Sequence, residues 1–403
     1  MRVLINCYAC SPYKGSEPGM GWNFVWGLSQ KHELHILTEC KFQQDIERFM
    51  KDVPEASKFL HFYYIKKKRH KLLRKLWPPS YYWFYRDWQK KAFQKAIELD
   101  KELNFDIVHQ LNMVGYREPG YLWRMEKPFV WGPIGGFNIT PWRMLTSMGF
   151  YGALFYAFRN VINLKQMYTM RRVKSAMKRA DALIAATQNE AETILRLYKR
   201  KSIVIPEVGW QKAELKQFSP HKRETTLKIC WSGQHTPGKS LNLLIEALSL
   251  VRCKVELHVL GSGRCTEKWK KQSAKIEHIR FFWYGWVERS KSIEIMKTCD
   301  LFCITSLSDL TSTVLLEALS YGLPVIALDH CGFSNVLTEQ CGIKIPIHTK
   351  AQVVSAIAKA IEQIDADEEL RQMMSVAAYE RAQQYNWDDK IETISGIYNE
   401  VAK

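Results

Sequence analysis

Two series of alternating strand-like and helix-like segments, with a lapse in periodicity near Pro206–Pro220, constrain this chain more than any other feature. The first series has the apolar runs RVLINC, HELHILT, FLHFYYI, DIVHQL, PFVWG and ALIAAT. The second has KICWSG, VELHVLG, IRFFWYG, LFCITS and PVIAL. Strands that alternate with helices predict a mostly parallel sheet covered on both faces. Two series predict two such sheets, and 403 residues are long for one core. The expected class is α/β: two facing, doubly wound, Rossmann-like domains with a cleft between them. Open sheets of this kind bind ligands at the carboxyl ends of their strands. The expected divisions are residues 1–205, 206–385 and a terminal segment 386–403. In that segment Ile391, Ile394, Ile397 and Tyr398 have helical spacing.

Charge separates the halves. Residues 1–200 hold 33 Lys+Arg against 17 Asp+Glu, a net +16, whereas residues 201–403 hold 25 against 24, a net +1. Such asymmetry suggests an anionic partner for the first half. No run of about 18 uncharged apolar residues is present, so no spanning helix is expected. The N-terminus MRVLINCYACSP has no signal-peptide pattern, so a cytoplasmic protein is expected. Ten scattered cysteines agree with a reducing compartment. Cys7-x-x-Cys10 lacks a second pair that would complete a zinc site, and reads as buried thiols. No Asp-x-Asp stands at a sheet edge. Asp365-Ala366-Asp367 has that spacing but lies on an acidic helical surface, so no metal site is expected.

The richest segment for chemistry is SLSDLTSTVLLEALSYGLPVIA, residues 306–327. Asp309 follows a strand, Leu310-Thr311-Ser312 turn, and Glu317 lies one turn into the helix that starts at Thr313. Free N–H groups at a helix start favour an anion. Asp309, seven residues, Glu317, then Ala-Leu-x-x-Gly-x-Pro-Val-Ile resembles the signature of family 4 (group 1) glycosyltransferases, retaining enzymes of the GT-B fold, here of the bacterial cell-surface polysaccharide type. The resemblance implies that the two acids flank a donor sugar and the nucleotide ribose. The first acid is usually Glu in that family, and Gly-Phe-Gly usually follows it.

Upstream, WSGQHTPGKSLNLLIEAL is similar to the family's strand–loop–helix that grips the donor diphosphate. Lys239 matches its lysine, Gly233 its glycine, and Gln234 stands where an arginine is usual. LGSGR supplies Gly261 of a second glycine loop, and FWYGWV resembles the strand end that receives the base. In GSEPGMGW, Gly19 and Gly21 would let backbone approach the donor phosphate and the acceptor. His109 matches the first histidine of a His-x-His pair, with Leu111 at the second place. As a lone strand-end histidine it also reads as a satisfied structural residue. GPIGG, residues 132–136, follows another strand and is expected to border the same cleft.

The resemblance implies catalytic roles for His109, Asp309 and Lys239. It implies donor contacts from Gly19, Gly21, Gly233, Gln234, Lys239, Gly261, Leu310, Thr311, Ser312, Thr313 and Glu317. The implied substrate is a nucleotide-diphosphate sugar, with no other cofactor. The implied acceptor is a saccharide or lipid-linked saccharide, bound on the side of domain 1–205. The terminal helix would return to that domain.

Residues 66–86 add seven Lys/Arg from Lys66 to Lys75 and six aromatics from Trp77 to Tyr85. Cations beside aromatics suit an anionic membrane surface. Peripheral attachment to the inner face of the cell membrane is therefore expected, with a solvated basic helix as the plainer reading. MLTSMGFYGALFYAF, residues 144–158, is uncharged but too short to span. Two further function classes stay open. One is a catalytically weak or inactive GT-B partner subunit, given Asp309 and Gln234. The other is a basic nucleic-acid-binding protein, although no recognition module is present.

Overall fold

The computed structural model describes residues 1–70, 72–73, 77, 80–210, 218–223 and 225–403. They form two compact units. The first comprises Met1–Phe137, Gln166–Glu207 and Trp387–Lys403, and the second Asn138–Lys165 and Val208–Asn386.

The first unit is built on seven strands: β1 Arg2–Cys7, β2 Glu33–Glu39, β3 Leu60–Ile65, β4 Ile107–Asn112, β5 Phe129–Ile134, β6 Ala182–Ala185 and β7 Ile203–Val204. Their order is β3-β2-β1-β4-β5-β6-β7, and every pairing is parallel. Central strands β4 and β5 are buried along their whole length, which their continuous apolar runs require. The order reverses between β1 and β4. At that point Asn112 clasps the loop after β1: its Nδ2 donates to Ala9 O at 2.7 Å, and Ala9 N–H donates to its Oδ1 at 3.2 Å.

The helix Trp387–Val401 closes this unit against the helix Ser16–Ser29. A Cβ on Gly27 would stand 2.4 Å from Ile391 Cγ1, so only glycine allows this approach. Phe24 meets Trp387 edge to face at 5.0 Å. Beneath the helix, fully buried His109 contacts Gly132 O through Nε2 at 2.8 Å and Tyr398 Oη through Nδ1 at 2.6 Å. A carbonyl only accepts, so Nε2 carries the proton and Nδ1 accepts from the tyrosine hydroxyl. Burial pushes the imidazole down to about 4. In the unfolded chain it would titrate near 6.5, so below that pH the unfolded state binds the extra proton. Stability is therefore fully present above about pH 6.5 and is lost as pH falls toward 4. We expect the thermal midpoint of the wild type to drop from about pH 7.5 to about pH 5, and His109→Gln to shrink that drop. An unchanged drop in the variant would show that other groups govern it.

The basic segment behaves differently from its sequence reading. Lys67 is buried: its Nζ donates to Tyr8 Oη at 3.2 Å and lies 3.5 Å from the Tyr81 ring centre. A cation–π contact and a hydrogen bond hold it inside the unit instead of at a solvated surface. Arg69 pairs with Glu39. Lys66 and Lys68 are exposed, as are Trp77, Tyr82 and Trp83. Lys71, Arg74 and Lys75 of the same run lie outside the described residues.

The second unit has six strands: β8 Leu227–Ser232, β9 Val255–Leu260, β10 Arg280–Gly285, β11 Leu301–Ile304, β12 Val325–Leu328 and β13 Gly342–Ile345. Their order is β10-β9-β8-β11-β12-β13, again all parallel. The reversal falls between β8 and β11. Asn138–Lys165, grouped with the first domain in the sequence reading, packs here: Met144, Leu145, Met148 and Tyr156 join a core with Leu241, Leu244 and Trp269.

Candidate functional site

The loops after β8 and β11 meet at the reversal point of the second sheet. The β8 loop is Gly233–Lys239, and its course is fixed from both sides. Gly233 N–H donates to Leu260 O at 3.1 Å, and His235 N–H donates to Ser262 O at 3.0 Å. Leu307 N–H donates to Gly238 O at 2.8 Å, and Thr305 Oγ1 donates to Lys239 O at 2.9 Å. Gly261 has a φ of +107°, and a Cβ there would stand 2.0 Å from Gly233 O. This glycine is thus demanded twice, by its dihedral and by the β8 loop lying against it.

The β11 loop brings Asp309 to Lys239, and the two side chains form an ion pair. The other carboxylate oxygen, Oδ1, accepts from Leu310 N–H at 3.0 Å. Ser312, with φ 72°, precedes the helix Thr313–Ser320 without capping it. The first N–H groups of that helix therefore lack a side-chain cap from Ser312. Thr311 is buried against Gly332, and Thr313 is exposed. Glu317 is buried, and burial raises its carboxyl, while Arg289 acts in the opposite sense. Arg289 Nε donates to Glu317 Oε1 at 2.8 Å.

Sequence reasoning did not single out Arg289. It also missed Arg159, whose Nη1 donates to Ser308 Oγ at 2.7 Å, one residue before Asp309. Nearby Tyr156 lies against Gly238, where a Cβ would stand 2.3 Å from its hydroxyl oxygen. Both residues belong to the helix Gly149–Thr169, whose apolar sequence gave no sign that it reaches a polar loop. Gln234 is exposed. The two loops thus gather Gly233, Lys239, Asp309, Leu310, Thr311 and Ser312, with Gly261 of the loop after β9 and Arg159 beside them.

The glycines and the histidine expected at a site in the first unit are closely packed. Gly21 is required by packing: a Cβ would stand 2.3 Å from Ala9 O and 2.7 Å from Cys7 Sγ. Gly19 likewise faces Lys14 O at 2.3 Å. Both ring nitrogens of His109 are engaged inside the core. Glu17, in the same GSEPGMGW stretch, was missed. Its carboxylate accepts from Val114 N–H at 2.9 Å, and burial raises its pKa. Glu33, His35 and His61 form the single group of ligating side chains near enough for a metal among the described residues. Glu33 is already engaged there by Arg2.

Residues 212–381 match the family Glycosyl transferases group 1. The glycosyl transferase match contains every site residue of the second unit named above except Arg159, and none of the first unit. A phosphatidyl-myo-inositol mannosyltransferase of Mycobacterium leprae (strain TN) is 29% identical over 171 residues, 41% of this chain and 44% of that protein. A D-inositol 3-phosphate glycosyltransferase of Jonesia denitrificans is 24% identical over 291 residues, 59% of this chain and 66% of that protein. The matched segments therefore span less than two thirds of these relatives. The crystal structure of Anabaena Alr3699/HepE in complex with UDP and glucose superposes with a TM-score of 0.64 at 15% identity, covering 99% of this chain and 100% of that one. The apo lipopolysaccharide outer core galactosyltransferase WaaB gives 0.67 at 15% identity, with the same coverage. The fold is GT-B.

Proposed function

We propose that the chain is a retaining glycosyltransferase. It moves a sugar from a nucleotide-diphosphate sugar to a saccharide acceptor, lipid-linked, in surface polysaccharide or glycolipid synthesis. The observation that carries this reading is the Lys239–Asp309 pair, set at the β8/β11 reversal beside a helix start that Ser312 leaves uncapped. When the anomeric C–O bond breaks, its electron pair goes to a diphosphate oxygen. Lys239 and the N–H groups near Ser312 meet that charge. Arg159 adds the second cation that Gln234 does not supply. Asp309 accepts from a sugar hydroxyl once the phosphate draws Lys239 away from it. Glu317 holds the ribose hydroxyls. The acceptor hydroxyl attacks on the face the nucleotide leaves, and its proton passes to the departing phosphate. No protein nucleophile takes part.

The test is a thermal-shift panel of nucleoside diphosphates and their sugars, since a ligand of the folded state raises its midpoint. At least one nucleotide should stabilise the protein, and a panel without any effect would remove the reading. Asp309→Asn should keep the shift given by the free nucleoside diphosphate. It should lower sugar transfer at least about ten-fold, or about 1.4 kcal/mol. Equal loss of nucleoside-diphosphate affinity would move Asp309 to the phosphate or ribose. A second reading, a partner subunit without turnover, is favoured by Gln234 and by the neutralisation of Lys239 by Asp309. Nucleotide binding without transfer to any acceptor would select it. An anionic membrane surface is the further partner in this reading, met through residues 66–86. Exposed Lys66 and Lys68 now carry the electrostatic part, and Lys67 does not.

A further inference from the structure

The helix Gly149–Thr169 presents an apolar face that is exposed among the described residues. Phe150 is 78% exposed, Tyr151 85%, Leu154 63%, Phe155 54%, Phe158 66% and Val161 55%. At 100° per residue these positions, with half-exposed Ile162, fall within an arc of about 140°. The opposite face is the one that packs: Gly152 lies against Met148 and Pro237, Tyr156 enters the core, and Asn160 exchanges hydrogen bonds with both backbone groups of Thr140. Four exposed aromatic rings on one stripe exceed the scattered apolar residues of an ordinary surface.

Charge says what covers it. Residues 127–180 contain nine Lys/Arg and no Asp or Glu. Arg143, Arg159 and Lys165 lie on or next to the helix within the same unit. Lys268 Nζ stands 3.1 Å from where a Cβ on Gly149 would lie. A face of aromatic and aliphatic side chains, framed by cations and with no acid in its own stretch of chain, matches a negatively charged lipid surface. No described helix is long and apolar enough to cross a bilayer, so this one would lie along the interface.

We propose that the face formed by Phe150, Tyr151, Leu154, Phe155, Phe158 and Val161 inserts into the interfacial layer of an anionic bilayer. This contact is distinct from residues 66–86 and does not depend on the transferase reading. The experiment is vesicle flotation with phosphatidylcholine alone and with added phosphatidylglycerol, at low and high salt. Wild type should prefer anionic vesicles and keep part of its binding at high salt. Phe150→Ser/Tyr151→Ser/Phe158→Ser should lose that salt-resistant part at least about ten-fold. Lys66→Gln/Lys68→Gln should retain it. Leu154→Glu, a single change at an exposed position, should weaken binding to anionic vesicles more than to neutral ones. The thermal midpoints of the variants should match wild type, because every changed side chain is exposed. The proposal is overturned if wild type does not float, or if the triple variant floats as wild type does. It is equally overturned if wild type is a dimer that the triple variant makes monomeric without any vesicle binding. That outcome would assign the face to a second copy of the chain.

Discussion

Lys239→Ala should lower sugar transfer by about 10² to 10³-fold, the cost of removing one fixed charge or dipole aimed at a developing anion. The Lys239 and Asp309 side chains are 24% and 19% exposed, so the pair is only partly screened and its loss should also lower the thermal midpoint, which is read separately from turnover. The variant does leave the Asp309 carboxylate facing the phosphate without a counter-charge, which adds repulsion of the donor. Lys239→Ala/Asp309→Asn separates the two effects. If repulsion is the larger, the double variant recovers nucleoside-diphosphate affinity but not turnover. Glu317→Ala should cost about ten-fold or more through donor affinity, with Arg289 returning to solvent. Turnover of Lys239→Ala within about three-fold of wild type would remove the lysine from the site.

Gly261→Ala should be the most damaging single methyl addition in the second unit. Its φ of +107° is closed to alanine, and the new Cβ would stand 2.0 Å from Gly233 O. The expected loss is about 3 kcal/mol or more, a fall of about 6–12 °C in the thermal midpoint of a domain of this size. Because Gly233 opens the β8 loop, relief of the clash would also displace Lys239, and with it the proposed diphosphate contact. Gly396→Ala is the control. It lies inside a helix with nothing within 4 Å of its Cβ position, and should leave the midpoint unchanged or raise it. Equal midpoints for the two variants would contradict the geometry at Gly261.

The sheets were legible because their central strands are continuous apolar runs, as in RVLINC and LFCITS, bounded by polar loops. β7 and β13 were not, for reasons of place. Both lie at sheet edges; Ile203–Val204 is two exposed residues, and GIKI is four residues with only its two ends buried. The turn from Asp309 to the helix at Thr313 could be read because strand end, turn and helix start each leave a local mark. The pairing of Asp309 with Lys239 spans 70 residues and follows from strand order alone. Arg159 shows the same limit, since its partner Ser308 is 149 residues away. For His109 the sequence left two readings open. The partner that engages its Nδ1, Tyr398, lies 289 residues further on, beyond the reach of any local pattern. Lys67 was read with its charged neighbours because a run of lysines looks solvated; the tyrosines that enclose it come from a different strand end and from the helix Ser80–Leu103.

The first unit is assembled from three stretches of chain, and the third, Trp387–Lys403, follows the second unit. Until Trp387–Lys403 has been synthesised, Phe24 lacks its aromatic neighbour, His32 its Ser395 partner at 2.8 Å, and His109 its tyrosine hydroxyl. Most domains can close as soon as they leave the ribosome. This one must hold an open seam, with Phe24, His32 and His109 unpartnered there, while Val208–Asn386 is made and folds. The order of completion is therefore the reverse of the order of synthesis: the half made first is sealed last. A nascent chain of this protein should remain a chaperone client through its first unit until Trp387–Lys403 has been made. A stop codon placed before Trp387 should leave the second unit folded and the first unable to close.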